Sequence, residues 1–411
     1  MNGHECLAFA EIDKYARQSY KAIYNTENEK EWHDVTRITD DDFRYFKGKA
    51  DIIVGGFPCQ AFSIAGKRQG FEDTRGTLFF EIARAIKEVQ PSYVLLENVK
   101  GLFSHDGGRT FGTIIQTLDE LGFFTEWGLF NSKYWGVPQN RERVYILATR
   151  KDKFKEPLLF DLVKQQTKVT TRLIDVLEDE VDEKYYLSEE KTKKLTLDHD
   201  LGGKLNMYNY NERDIVHSVN KVAPTIVDNK ETFGGNPQRG RVYNSEGLSP
   251  ALNCMRGGGL EPKIAVPVLT PDRINKRQNG RRFKEDGEPM FTLTAQDRHG
   301  IAVREATKKG YAIAEQGDSV NVSFPDSKTR RGRVGKQLAN TLQAGETNQG
   351  VVMNDVRIRK LSPLECWRLQ GFTDKQFYKA KESGVSNSQL YKQAGNSVTV
   401  NVVDAIVKQL F

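Results

Sequence analysis

The run Asp51-Ile52-Ile53-Val54 stops at Gly55-Gly56 and is followed at once by Phe57-Pro58-Cys59, and this stretch, through Gly76, constrains the fold more than any other. A short β-branched apolar segment reads as a buried strand, and the glycine pair marks a sharp exit from it. In open α/β sheets the loop beyond a strand's carboxyl end is where ligands and chemistry collect. Pro58 cannot continue a β ladder, and Lys67, Arg68 and Arg75 make the loop cationic. Nearby cations lower a thiol's pKa and activate it, whereas an apolar pocket leaves it inert. From these residues alone Cys59 is either a nucleophile or a buried, unreactive thiol.

The flanking chain alternates strand and helix patterns. Leu7-Ala8-Phe9-Ala10 reads as a strand that ends at Glu11-Ile12-Asp13, with a helix following through Tyr20. Leu78, Phe79, Ile82, Ala83, Ile86 and Val89 recur at helical spacing, which predicts a helix over 77–89 packed on a sheet. Tyr93-Val94-Leu95-Leu96 is the next buried strand, with Glu97 at its exit beside Asn98. A carboxyl placed where low dielectric begins holds its proton to higher pH than usual. A helix over 110–121 and strands over 123–130 and 144–147 complete the alternation. Arg141 and Arg143, two apart on an extended segment, point the same way and can grip a phosphate or a base carbonyl together.

Four segments in this order, Gly56-Phe57-Pro58-Cys59-Gln60, Glu97-Asn98-Val99, Gln139-Asn140-Arg141-Glu142-Arg143 and Tyr391-Lys392-Gln393-Ala394-Gly395-Asn396-Ser397-Val398, resemble the motifs of the DNA cytosine-5 methyltransferases. The resemblance runs from near residue 3 to the end, apart from the middle of the chain. It implies S-adenosyl-L-methionine as cofactor, Cys59 as nucleophile on cytosine C6 and Glu97 as the acid at N3, which together make C5 nucleophilic enough to accept a methyl group. It further implies that Arg141 contacts the target cytosine and assists the acid, while Arg143 supports phosphate or loop geometry. Glu11, Ile12, Asp34, Val35, Pro58, Leu78, Asn396, Ser397 and Val398 take positions that hold the cofactor in that family. Gln60, Ser63, Arg75 and Gln139 take positions on the substrate side.

The chain has 411 residues, 38% hydrophobic and 28% charged, with a formal net charge of +6. That balance is globular and permits nucleic-acid binding without requiring it. No apolar run approaches the roughly 18 residues of a membrane span. Four cysteines, at positions 6, 59, 254 and 366, lack paired metal-ligand spacing, so no metal site is expected and the compartment is a reducing one, the cytoplasm. From about Lys151 the chain becomes highly charged, and the αβ alternation does not return before residue 360. A weak repeat occupies this middle region at 222–226, 248–252, 289–293 and 338–342, among loops that carry Arg239, Arg241, Arg256, Arg281, Arg282, Arg298, His299, Arg330, Arg331 and Arg333. Arginines read guanine and grip phosphate, so Arg256 and Arg298 are candidate base contacts. Ser362-Pro363-Leu364-Glu365 is a helix start with a capping box, and Ser397 is expected to cap a last helix with the stripe Val398, Val402, Ile406 and Leu410.

The expected fold is α/β: a doubly wound S-adenosylmethionine-dependent methyltransferase sheet formed by 1–155 plus 388–411, with a loop-rich, mostly β target-recognition domain over 165–385. The expected function is methyl transfer to C5 of a cytosine in a short DNA sequence. Its expected setting is restriction-modification or phage protection, as a monomer acting on double-stranded DNA beside a cognate restriction endonuclease. The family's first strand and glycine-rich loop have no counterpart before Met1-Asn2-Gly3-His4-Glu5. Poor cofactor binding by this chain alone is therefore expected, and a DNA-binding remnant or one half of a split enzyme is the alternative. An RNA cytosine methyltransferase is a further rival, weakened by the length of the middle region.

Overall fold

The computed structural model describes residues 3–58, 78–195, 267–269, 299–325, 327, 329–344, 348–353 and 357–411. The chain divides into two compact units, Met1–Glu180 with Gln337–Thr347 and Leu361–Phe411, and Val181–Lys336 with Asn348–Lys360.

In the first unit, β1 (Ala8–Ala10) and β2 (Lys30–Trp32) form a parallel pair, with α1 (Lys14–Ile23) between them in sequence. Asp13 caps α1, its Oδ1 accepting from the amides of Tyr15 at 2.8 Å and Ala16 at 3.3 Å. After α2 (Asp40–Arg44) comes a four-stranded sheet containing β3 (Ile52–Gly56), β4 (Tyr93–Val99), β5 (Phe123–Asn131) and, beyond the short β6 (Gln139–Asn140), β7 (Glu142–Arg150). The spatial order is β3-β4-β7-β5, with β3 and β4 parallel and β7 antiparallel to both its neighbours.

Alternation along these strands covers the sheet on both faces. Val94, Leu96, Val144 and Ile146 pack with Phe79, Phe80, Ala83 and Ile86 of α3 (Leu78–Val89) and with Ile114 and Leu118 of α4 (Arg109–Glu120). Leu95, Tyr145 and Leu147 pack on the other side with Leu159 and Leu162 of α5 (Leu159–Lys164) and with Val402, Ile406 and Leu410. Burying each large apolar side chain contributes about 1.5–3 kcal/mol, so these two layers dominate the unit's stability. Among the described strands β3 is an edge with no hydrogen-bonded link to the β1–β2 pair, and Val54 on it is 58% exposed.

The boundaries differ from the expected 1–155 and 165–385. Residues 156–180 stay with the sheet, because Leu159 and Leu162 complete its second layer. Residues 361–387 also belong to the first unit rather than to the second. The helix Pro363–Arg368 begins with the expected box of Ser362 and Glu365, and the buried Glu365 carboxylate also accepts the Glu178 amide at 2.8 Å. The helix Asp374–Glu382 docks on α1, Lys379 Nζ donating to the Ile23 carbonyl at 3.1 Å. Ser397 does not start the last helix. It closes the helix Asn387–Asn396, and Thr399 precedes Val400–Val407, which leaves the Val402, Ile406 and Leu410 stripe in the core as expected.

The second unit is mostly β. An antiparallel sheet of order β10-β9-β8 joins Tyr311–Glu315, His299–Arg304 and Pro267–Leu269. Another, of order β12-β11-β14-β15, joins Val334–Gly335, Ser319–Asn321, Gln349–Val352 and Ile358–Lys360. Ile301, Val303, Ala314, Val320, Val352 and Ile358 form its core. The repeats at 222–226, 248–252 and 289–293 lie outside the described residues. The fourth contains β13 (Ala339–Asn340), which belongs to the first unit.

Candidate active site

The parallel register sets Gly56 opposite Glu97, so β3 and β4 leave the sheet side by side. A Cβ on Gly56 would lie 3.5 Å from Glu97 Oε2, which shows how close that carboxylate sits to the exit of β3. Next along, the buried Asn98 donates from Nδ2 to the Phe57 carbonyl at 2.7 Å. Phe57 is itself in the core against Phe79, with ring centroids 5.3 Å apart. Phe57, two residues before Cys59, is thus pinned by an apolar anchor and a buried amide. Cys59, Gln60, Ser63 and Arg75 lie outside the described residues, as do Arg256 and Arg298.

Glu97 accepts an ion pair from Arg143 Nε at 2.8 Å. Burial raises its pKa, and the charges of Arg143 and Arg141 only partly oppose that rise. Tyr145 lies opposite Glu97 in the β4–β7 register, and burial, reinforced by the Glu97 charge, holds its phenol protonated. The resemblance implies that Arg141 contacts the target cytosine and assists the acid; the side chain paired with Glu97 in the structure is that of Arg143.

Arg141 points elsewhere because β6 and β7 are separate strands, so two-residue periodicity does not carry across the break between them. Its guanidinium is buried and donates to the carbonyls of Ser397 at 2.8 Å, Gly395 at 3.2 Å and Leu342 at 3.4 Å. Desolvation, with repulsion from Arg143, pushes its pKa down to about 10. Arg141 thereby ties the turn at 395–397 to residues 337–344, which lie along the Gln139 segment. β13 pairs in parallel with β6, Ala339 opposite Gln139, and Thr341 Oγ1 donates to the Asn140 carbonyl at 3.0 Å. The Gln139 amide is fully buried with neither polar atom partnered among the described residues. Such a group costs about 1–3 kcal/mol unless something meets it.

Four of the expected cofactor positions, Glu11, Ile12, Asp34 and Val35, lie just past the carboxyl ends of β1 and β2. The Glu11 amide donates to the Trp32 carbonyl at 3.1 Å, which sets Glu11-Ile12 beside the chain that continues into Asp34-Val35. Ile12 is 75% exposed, an apolar side chain with no cover among the described residues. Asp34 caps a short turn by accepting the Thr36 amide at 3.0 Å and hydroxyl at 2.7 Å, which holds its carboxyl below the usual range. Arg84 of α3 reaches the Val35 carbonyl at 3.5 Å, and Leu78 stands exposed at the start of that helix, apart from its buried face. Lys392 pairs with Asp13 at 2.6 Å and Gln393 Nε2 donates to the Tyr15 carbonyl at 3.0 Å. These bonds bring the helix that ends at Asn396 onto α1, just past Glu11-Ile12. Asn396 and Pro58 are exposed, and Ser397 and Val398 half-buried.

Two roles had no assignment from sequence: the Asn98 lock on Phe57, and the passage of 337–344 through the first unit. The first had a signal, an amide side chain at the end of an apolar strand. The second had only Gly395 as a cue. A Cβ there would meet the backbone of Gln343 at 2.4 Å and Ala344 at 2.5 Å.

A family profile described as C-5 cytosine-specific DNA methylase matches residues 1–411. The chain is 38% identical to the orphan methyltransferase M.SPRI of Bacillus phage SPR, over 99% of this chain and 92% of that protein. It is 33% identical to the type II methyltransferase M.BanI of Aneurinibacillus aneurinilyticus, over 99% and 89%. Among solved structures, the S. pombe Dnmt2 methyltransferase covers 100% of this chain and 91% of its own at a TM-score of 0.51 and 16% identity, a likeness of fold.

Proposed function

Since the chain belongs to the C-5 cytosine-specific DNA methylase family and is a DNA (cytosine-5-)-methyltransferase, we propose that Cys59 and Glu97 act as a nucleophile–acid pair on one cytosine of a short DNA sequence. One observation carries this reading: the Gly56–Glu97 register, with Asn98 locked on Phe57, brings the chain to Cys59 from beside a carboxyl whose pKa is raised. The base must leave the duplex, because neither C6 nor C5 is open to a thiolate inside the stack. The Cys59 thiolate adds to C6 while Glu97 donates to N3, and the displaced electron pair makes C5 an enamine-like nucleophile. After C5 is methylated, its proton is lost to solvent, and the C5–H electron pair re-forms the C5–C6 double bond as the thiolate leaves C6. The N3 proton returns to Glu97, which restores the ring and the enzyme. Arg143 holds Glu97 in place for N3.

S-adenosyl-L-methionine, when bound, supplies the electrophilic methyl group. The residues fit it: Glu11 and Asp34 offer carboxylates and Ile12 an uncovered apolar face at the carboxyl ends of β1 and β2. Val35, Pro58, Leu78, Asn396, Ser397 and Val398 would complete its holder, with Arg141 fixing the turn at 395–397 from behind. Arg256 and Arg298 are proposed base contacts to double-stranded DNA. The enzyme would act as a monomer in the cytoplasm; among the described residues no helix is long and apolar enough to cross a membrane. One relative is named an orphan and another a type II methyltransferase, so both phage protection and work beside a cognate restriction endonuclease fit the proposal.

The test is covalent trapping on duplex DNA in which the target base is 5-fluorocytosine. Wild type should form a complex stable to denaturant, and Cys59→Ser should form none. Undiminished trapping by the serine variant would overturn the assignment.

A further inference from the structure

The second unit holds out an aromatic ring that its own packing does not use. Phe324 is 74% exposed, and its φ is +48°, in the left-handed region that bulky residues rarely adopt. The strain is maintained by a buried residue. The Arg333 guanidinium, fully buried, donates to the carbonyls of Asn321 at 3.1 Å, Ser323 at 3.2 Å, Phe324 at 2.8 Å and Pro325 at 3.5 Å. One side chain thus clamps the backbone around Phe324 while the ring stays in solvent. Sequence reasoning had placed Arg333 with the groove-facing arginines; its burial instead makes it the clamp.

One cation lies beside that ring, and more lie on the turn fastened to the same segment. The Arg330 guanidinium lies 5.8 Å from the Phe324 centroid. Arg331 is exposed and donates to the Ala306 carbonyl at 2.9 Å, and the Ala306 amide donates to the Arg330 carbonyl at 2.7 Å. Those bonds fasten the turn between β9 and β10 beside the arginines, and its tip carries Lys308 and Lys309, both exposed. A rigidly presented apolar ring beside one arginine, with further cations on the fastened turn, matches the surface of nucleic acid, which alternates flat π faces with phosphates. A folded protein gains nothing from holding a phenylalanine in water at a strained φ, and a glycine would be easier to fold there.

We propose that Phe324 is a DNA-contacting wedge of the second unit, its ring seated on a base or sugar face within a groove. Arg330, Arg331, Lys308 and Lys309 grip the flanking phosphates. The inference rests on the reading above that the substrate is duplex DNA. Mapping methylated positions in the DNA of cells that express the full chain tests that reading by itself and supplies the site. Binding of a fluorescent duplex bearing that site, titrated at several salt concentrations, then tests the wedge. Phe324→Gly should melt no lower than wild type, because it removes the strain, yet bind DNA roughly 5- to 150-fold more weakly. Its salt slope should be unchanged, since no phosphate contact is lost. Phe324→Trp should retain binding. The double variant Arg330→Ala/Arg331→Ala should instead lower the salt slope by about 2. Wild-type affinity in Phe324→Gly would overturn the proposal. So would a loss that Phe324→Trp shares together with a lowered melting temperature, which would make the ring structural only.

Discussion

The Asn98 side chain donates to the Phe57 carbonyl at 2.7 Å, so the exit of β4 holds the chain two residues before Cys59. The proposed acid and the approach to the proposed nucleophile are thereby fixed by neighbours on one strand, Glu97 facing the exit of β3 and Asn98 the backbone that leads to Cys59.

Asn98→Leu removes the donor and leaves a buried carbonyl short of one. It should cost about 1–3 kcal/mol of stability. It should also lower turnover more than it raises the KM for DNA, because it loosens the approach to Cys59 without touching DNA. Denaturant melts and steady-state kinetics measure the two effects, and unchanged turnover in a destabilised variant would count against the lock.

The Glu97 pKa is raised by burial against the opposing charges of Arg143 and Arg141. Arg143→Gln removes the larger of those opposing influences, so the pKa should rise further. If protonated Glu97 is the active form, the alkaline limb of the pH–rate profile moves to higher pH in this variant. Stability has its own sign. A carboxyl with a raised folded pKa weakens the fold as pH climbs from its ordinary value, 4.5, through the folded value. Glu97→Gln should therefore lose less stability than wild type across that window, which parallel thermal melts at several pH values would show.

Gly395→Ala places a methyl group where the backbone of 343–344 passes, 2.4–2.5 Å from the new atom. Backbone has to move, so a cost of about 1–3 kcal/mol or more is expected. The carbonyl that Arg141 holds shifts with it. Cofactor affinity should fall along with stability, as isothermal titration would record; a variant that melts and binds like wild type would show that 337–344 yields freely.

Ile12→Ala should behave in the opposite way. Ile12 is exposed, so its truncation should leave the melting temperature within the usual scatter of surface changes, about 0.5 kcal/mol. If its face covers the cofactor's adenine, affinity for S-adenosyl-L-methionine falls about tenfold, near 1.4 kcal/mol. Equal affinities would remove Ile12 from the cofactor site.

Local pattern determined much of this protein. The β-branched run of Ile52-Ile53-Val54, the apolar period of 78–89 and the Ser362–Glu365 box each specify their element from neighbouring residues alone, because strand propensity, helical periodicity and capping are short-range physics. Even so, β3 runs on through Gly55-Gly56, expected to end it, because both glycines pair with β4, and as an edge among the described strands it is only partly buried. The order of four motifs was enough to indicate the family. Tertiary structure decided what depends on residues far apart in sequence. Arg141 and Arg143 look equivalent in an extended segment, yet the break between β6 and β7 turns one to Glu97 and the other to carbonyls at 342, 395 and 397. Arg333 reads as a surface cation and is a buried clamp, because only the folded loop offers it four carbonyls. Residues 338–342 read as one more repeat of the middle region, but Ala339-Asn340 pair with Gln139-Asn140 in the first unit. Long-range pairing of this kind leaves no periodic trace along the chain, since a partner some 200 residues away is chosen by the geometry of the assembled sheet.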